Sequence, residues 1–246
     1  MLDQTDFVFL PGFMCDDRLF AAVSQALSRA GQTCLSGDLS SHDTIKALAT
    51  ATLDISPRSF ALVGLSMGGI VALEMHRQAP ERISHLALLN TTYRADRAGP
   101  TRLKQLERVR QGELDLVLRD ELKPNYMHPD NRSQERLDLL ARMAGTLGEE
   151  VFERQTRALM QRENYADQLG RIDCPTLVLT GADDEVCPPE VHCEMAKRIS
   201  GSELQIVPQC GHLSALEQPD AVTSALLALV GSQVCSDTPL PQTQTA

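Results

Sequence analysis

Residues 60–69 read Phe-Ala-Leu-Val-Gly-Leu-Ser-Met-Gly-Gly and run into a helical stretch, Ile70–Gln78. A G-x-S-x-G pattern between an apolar strand and a helix forces so sharp a reversal that side chains at Gly64 and Gly68 would meet neighbouring backbone. Ser66 is then left in a strained turn with its hydroxyl above the edge of a sheet. The helix starting at Met67 brings unsatisfied backbone N–H groups and a positive dipole end to the same spot, where an oxyanion would develop. A Gly-rich turn with a serine cap is the competing reading of the five residues alone, and the flanking strand and helix favour the nucleophile elbow.

A serine hydroxyl is a weak nucleophile until a base takes its proton. Of the six histidines, His42, His76, His85, His128 and His192 fall on predicted helices, at a strand start or in a helical insertion, where a solvated or capping imidazole is expected. His212 differs. It follows the last predicted strand, in Pro208-Gln209-Cys210-Gly211-His212-Leu213, on a loop whose Gly211 permits an unusual backbone. The base needs a carboxylate to orient it. Strand Thr176–Thr180 ends in Gly181-Ala182-Asp183-Asp184-Glu185-Val186-Cys187-Pro188, with three acids on one loop at the same sheet edge.

The rest of the chain reads as the scaffold that holds these loops. Short apolar runs recur at Phe7–Leu10, Thr33–Leu35, Phe60–Gly64, His85–Leu89, Thr176–Thr180 and Leu204–Val207. Helical spacing falls between them at about Asp16–Ala30, Ser41–Leu53, Met67–Gln78, Pro189–Ile199 and Pro219–Val230. The alternation predicts the α/β class, with a mostly parallel central sheet of about six strands flanked by helices. Residues 94–171 break the rhythm: too long for a crossover and without a strand pattern, they predict a helical cap inserted into a core of residues 1–93 and 172–231. Residues 232–246 are rich in Ser, Thr, Gln and Pro and predict a disordered tail.

At 246 residues, 42% hydrophobic and 23% charged, the chain fits one generous globular domain. A net charge of −10, with 4% aromatics and no Trp, argues against a nucleic-acid partner. Seven cysteines (Cys15, Cys34, Cys174, Cys187, Cys193, Cys210, Cys235) form no C-x-x-C pair, which predicts free thiols and a cytoplasmic setting. No basic segment precedes the first apolar run and no apolar stretch nears ~18 residues, so neither a secretory signal nor a membrane span is expected. The cap segment holds 15 basic and 14 acidic residues against 8 and 19 elsewhere. Its basic start (Arg94, Arg97, Arg102, Lys104, Arg108, Arg110) reads first as a solvated helix face and second as an attractor of an anionic substrate group.

Taken together, the sequence resembles the α/β-hydrolase superfamily, and within it the small single-domain carboxylesterase-like serine hydrolases. The resemblance runs from Phe7 to about Val230 and is weakest in the cap. The order nucleophile, acid, histidine is that of this fold and not of the chymotrypsin or subtilisin folds. The family's acid loop, G-x-x-D-x-x-x-P, falls on Gly181, Asp184 and Pro188, which implies Asp184 rather than Asp183 as the acid. Residues 211–219 resemble the family's G-H-x-x-x-x-E-x-P segment and imply a structural Glu217 that helps to start the last helix. Leu10-Pro11-Gly12-Phe13-Met14 resembles the H-G-x oxyanion loop, implying that the Phe13 N–H joins that of Met67, in a loop shape that Gly12 permits. Pro11 stands where many members have His, and proline offers neither a backbone donor nor an imidazole. The chain also starts at what would be the family's third strand, so a missing or reduced first hairpin is expected.

The resemblance implies a cofactor-independent serine hydrolase, without metal, cleaving an ester or similar activated acyl bond of a small, fairly apolar metabolite. Ser66, His212 and Asp184 would form the triad, and the cap would supply the pocket, with Tyr126, Met127 and His128 as candidates. Cys15, Cys187 and Cys210 lie beside the site loops and read as small buried hydrophobes. No cysteine occupies the elbow, and a haloalkane-dehalogenase mechanism would need Asp at position 66. Thioesterase, lactonase, C–C hydrolase and cofactor-free haloperoxidase or perhydrolase chemistry use the same machinery. The alternative from another class is a slow-turnover ligand-sensing or partner-binding protein. The expected partner is a small-molecule ester or acyl substrate, with no nucleic acid, no membrane and an open oligomeric state.

Overall fold

Six strands, β1 (Asp6–Leu10), β2 (Thr33–Ser36), β3 (Phe60–Leu65), β4 (Ile83–Leu89), β5 (Thr176–Gly181) and β6 (Glu203–Val207), form one sheet in the order β2-β1-β3-β4-β5-β6. Every neighbouring pair is parallel. The structure is a computed structural model that describes residues 4–122 and 126–231. The tail expected at 232–246, with Cys235, lies outside the described residues. The helices are α1 (Ala21–Arg29), α2 (Ile45–Ile55), α3 (Met67–Gln78), α4 (Gly99–Arg110), α5 (Leu114–Val117), α6 (Gln134–Met160), α7 (Ala166–Leu169), α8 (Pro189–Arg198), α9 (Ser214–Glu217) and α10 (Pro219–Gly231).

The central strands are apolar without interruption because both faces of the sheet are covered. Alternate residues serve opposite faces. Phe7, Phe9, Ala61, Val63 and Leu65 pack in one cluster with Val23 and Leu27 of α1 and Val222 and Leu226 of α10. Their neighbours Val8, Leu10, Phe60 and Leu62 join the other, with Leu48 of α2, Val71 and Met75 of α3 and Met195 of α8.

Two helices start later than apolar spacing suggests. The Thr44 hydroxyl accepts from the Ala47 N–H at 3.2 Å and caps α2, so the helix begins at Ile45 rather than Ser41. The segment read as Asp16–Ala30 opens with a 3-10 turn, Asp17–Phe20, before α1.

Between β4 and β5 the regular elements among the described residues are all helices, and α4 to α7 are not a layer apart. Leu106, Val109, Phe152 and Leu159 share the cluster of α2 and α3, whereas Leu140 and Met143 reach the opposite one. The course of α6 changes at Gly148. Its φ of 76° is left-handed backbone that glycine takes without a Cβ clash, so the helix breaks there; the first half packs into both clusters and the second into that of α2 and α3. No helix among the described residues is long and apolar enough to cross a membrane, and none of the six described cysteines forms a disulfide.

Candidate active site

The C-terminal ends of β1, β3, β4, β5 and β6 all feed one site, at the edge where a parallel sheet presents its loops. Between the end of β3 and the start of α3 only Ser66 remains to turn the chain, at φ 55° and ψ −115°. Its N–H donates to the Leu89 carbonyl at 3.0 Å and its own carbonyl accepts from the Thr91 hydroxyl at 2.6 Å. A Cβ on Gly64 would lie 2.3 Å from the Gly68 oxygen, and one on Gly68 would lie 2.0 Å from the Leu10 oxygen. Both glycines are therefore demanded by backbone contact.

Ser66 Oγ lies 2.8 Å from His212 Nε2, and His212 Nδ1 lies 2.9 and 3.0 Å from the two oxygens of Asp184. With Nδ1–H donated to the carboxylate, Nε2 presents its lone pair to the serine hydroxyl. Asp184 is buried and fully used: Oδ1 accepts the N–H groups of Val186 at 2.9 Å and Cys187 at 2.8 Å, and Oδ2 accepts the Asn90 amide at 3.0 Å. Burial opposes its charge, yet His212 and these donors outweigh burial and hold the carboxyl below the usual carboxylate range. Asp183 is exposed, 3.9 Å from His128 Nε2, and takes no part in the line.

Three residues that sequence reasoning passed over hold this line in place. Asn90, left-handed at φ 45°, donates its amide to Asp184 and, at 3.1 Å, to the Gly211 carbonyl. The N–H of Thr91 donates to His192 Nε2 at 2.9 Å, and His192 Nδ1 faces the Pro188 carbonyl at 3.3 Å. Burial pushes His192 down to about 4, so it stays neutral and can accept. The solvated or capping role expected of such histidines fails here and at His76, which is buried in α3 with both ring nitrogens unpartnered among the described residues. Asn90 did carry a signal, a polar residue directly after a buried strand at the active edge; His192 inside α8 carried none.

The loop after β1 departs from expectation in its brace and its strain. Gly12 has no left-handed φ, and a Cβ there would make ordinary contacts from 3.5 Å; the left-handed residue is Met14, at φ 53°. The Met14 N–H donates to Gln155 Oε1 at 2.8 Å, and Gln155 Nε2 donates to the Leu39 carbonyl at 3.0 Å. Gln155 of α6 thus supplies the support that Pro11 cannot. The N–H of Phe13 has no acceptor among the described residues, and that of Met67, first in α3, has none within the helix.

Gly211 is likewise needed for space rather than for φ. A Cβ there would lie 2.7 Å from the His128 nitrogen, and the left-handed residue of the loop is Gln209. Nor does Glu217 start the last helix. Its carboxylate accepts the N–H groups of Gly211 (3.0 Å), Leu213 (3.0 Å) and His128 (2.8 Å) and the Asn131 amide (3.1 Å), tying the histidine loop to the residues before α6.

A cavity of about 550 Å³ lies over Ser66 and His212, lined also by Phe13, Met67 and Tyr126. The Tyr126 ring centre is 5.5 Å from that of His212, and the Tyr126 carbonyl accepts the His212 N–H at 2.8 Å. Met127 and His128, expected beside the substrate, do not line the cavity and instead press their backbone on Gly211. The lining combines apolar side chains with charged ones. Arg94, Arg97 and Arg102 of the basic run face it, while Arg108 and Arg110 pair with Glu113, Glu121 and Glu153, and Lys104 is exposed. The cavity-lining Cys187 has its thiol pushed up by burial and by Asp184, out of the thiolate range. Among the described residues no group of three or more His, Cys, Asp or Glu side chains is placed to hold a metal ion.

A six-stranded parallel sheet with a strained serine between strand and helix, facing a histidine and an aspartate from later loops, is the architecture of an α/β hydrolase. Residues 7–225 match the alpha/beta hydrolase family, and the chain belongs to it. BpoC of Mycobacterium tuberculosis, which carries the name non-heme bromoperoxidase, is 31% identical over 243 residues, covering 90% of this chain and 84% of its own. The pimeloyl-[acyl-carrier protein] methyl ester esterase of Nitrosomonas europaea is 24% identical over 247 residues, covering 91% and 95%. Among solved structures, a thermophilic esterase from Thermogutta terrifontis superposes with a TM-score of 0.83 at 27% identity, covering 92% of this chain and 89% of that one.

Proposed function

We propose that this chain is a serine hydrolase that cleaves an ester, or a similarly activated acyl bond, of a small metabolite through an acyl-enzyme. The observation that carries the reading is the continuous line from Ser66 Oγ through the His212 ring to Asp184, opening on a cavity. Ser66 attacks the acyl carbon as His212 Nε2 takes its proton, and Asp184 steadies the imidazolium. The N–H groups of Phe13 and Met67 receive the oxyanion. His212 then protonates the departing alcohol, and a water that it deprotonates releases the acid from Ser66. No step draws on a cofactor.

Likeness to two esterases supports ester cleavage in particular. Likeness to BpoC favours a second reading, in which hydrogen peroxide replaces water at the acyl-enzyme and a peracid leaves. A series of p-nitrophenyl esters of rising acyl length, assayed on wild type and Ser66→Ala, tests the first. A burst of p-nitrophenol followed by Ser66-dependent turnover is expected, with one organophosphonate label at Ser66. Saturable binding without turnover would return the chain to the ligand-sensing class, and peracid release in hydrogen peroxide would support the second reading.

A further inference from the structure

We propose that the cavity contains a carboxylate-binding subsite built from Arg102 and Arg162, so that the substrate is an ester carrying a second, free carboxylate. The inference rests on the ester-hydrolase reading and names its substrate class.

Two guanidinium groups lean on one oxygen of one carboxylate: Asp96 Oδ1 accepts from Arg162 at 2.9 Å and from Arg102 at 3.3 Å. The side chains of Asp96, Arg162 and Arg102 are 4%, 9% and 20% exposed. Two positive charges therefore share a single negative one in a largely dry place, leaving one positive charge uncompensated. Such a charge is costly to bury unless a partner arrives. Burial also pushes the Arg162 guanidinium down from its ordinary range, in spite of Asp96.

Of the other charges lining the cavity, Arg94 and Glu121 are committed, and Arg97 is exposed to solvent. Arg94 pairs with Glu194 at 2.6 Å, and Glu121 pairs with Arg108 and accepts from Gln105. Arg162 spends its Nε on the Arg94 carbonyl and its Nη1 on Asp96 and the Leu159 carbonyl, which fixes its plane. Arg102 uses only its Nε. Among the described residues its two terminal nitrogens have no acceptor, and its guanidinium carbon sits 6.0 Å from the centre of the Phe13 ring. An open planar fork beside the loop next to Ser66 suits a carboxylate, which it grips with two parallel hydrogen bonds. Within the shielded Arg102–Arg162–Asp96 group, one uncompensated positive charge matches a monoanion and not a phosphate dianion. Ile70, Leu159 and Val191 line the same cavity and leave room for a short hydrocarbon link between the two ends.

The test compares the mono-p-nitrophenyl ester of glutarate with p-nitrophenyl valerate, equal in acyl length and differing in one carboxylate, on the full chain. Wild type should prefer the glutarate ester by about tenfold or more in kcat/KM. Arg102→Met should bring the ratio close to one by raising KM for the anion, Arg102→Lys should fall between, and Lys104→Gln on the exposed face should leave the ratio alone. Calorimetric titration of glutarate, with valerate as control, reads binding without turnover. Equal kcat/KM for the two esters in wild type, or a preference that survives in folded Arg102→Met, overturns the subsite while the hydrolase reading stands. No ester turnover, with glutarate binding that weakens in Arg102→Met, removes the ester reading and supports the subsite. Should Arg102→Met not fold, Arg102→Lys decides on the same ratio.

Discussion

Asn90 shares with His212 one oxygen of Asp184: its amide reaches Oδ2 at 3.0 Å and the Gly211 carbonyl at 3.1 Å. It does so from left-handed backbone, which costs a non-glycine residue and persists only where the surroundings over-determine it. A hydrogen bond to a charged group contributes roughly 1.5–3 kcal/mol. Asn90→Ala should therefore lower kcat by on the order of 10- to 100-fold with a small change in KM. Asn90→Gly relieves the strain but lacks the amide, so an equal loss in both variants is expected. Recovery of wild-type kcat in Asn90→Gly would assign the residue to backbone shape alone.

The acid loop carries the next expectation. Asp184 is buried and accepts from four donors, His212 among them, whereas Asp183 faces solvent. Asp184→Asn loses the group that fixes the tautomer of His212, and kcat should fall by about 10⁴-fold; Asp183→Asn should change it by less than about threefold. Ser66→Ala removes the nucleophile and should cost about 10⁴-fold or more with the fold retained. Steady-state kinetics at neutral pH separates the three, and a larger loss at Asp183 would contradict the hydrogen-bond line.

Sequence reading reached the strands and the elbow because their causes are local. Buried parallel strands need apolar residues on both faces, and Gly64 and Gly68 answer to contacts within a few residues or with the adjacent strand. What it misjudged depends on distant partners. Gly12 and Gly211 looked alike as permissive backbone, but the left-handed residues are Met14 and Gln209, and Gly211 is small because His128 comes close. Gln155 sits on a helix 141 residues from the amide it accepts, so no spacing rule points to it. His192 reads as an ordinary helix histidine, and only the approach of α8 to Thr91, two residues past β4, makes it an acceptor.

Gln155 also makes a kinetic expectation. By accepting the Met14 N–H and donating to the Leu39 carbonyl it fixes the loop that presents the Phe13 N–H. Gln155→Leu fills the space yet satisfies neither partner. The proposed oxyanion donor would then be less well aimed, a loss felt in the transition state more than in the ground state. A drop in kcat of about tenfold or more at little-changed KM is expected. A change confined to KM would mean that the brace shapes substrate binding and not the oxyanion site.

The pH dependence of stability follows from the buried histidines. His192 is held at about 4 in the folded chain against an ordinary value of 6.5, because burial disfavours its charged form. The unfolded chain therefore binds a proton here that the folded chain does not between those values. The stability this neutral ring contributes is full above pH 6.5, declines as pH falls, and is gone below about 4, a total of roughly 3 kcal/mol. His76 and His85 are lowered by burial as well and add to the decline as pH falls below 6.5. Asp184 and Glu74, both lowered from ordinary carboxylate values, lose their contributions at lower pH still. Urea midpoints from pH 7.5 to 4.5 should thus fall steadily in wild type. His192→Gln, whose amide oxygen can accept the Thr91 N–H, should be less stable at pH 7 but show a shallower fall, by up to about 1.4 kcal/mol per pH unit. Parallel curves for the two proteins would mean that His192 binds no extra proton on unfolding, and the acceptor role drawn for it would have to be given to another group.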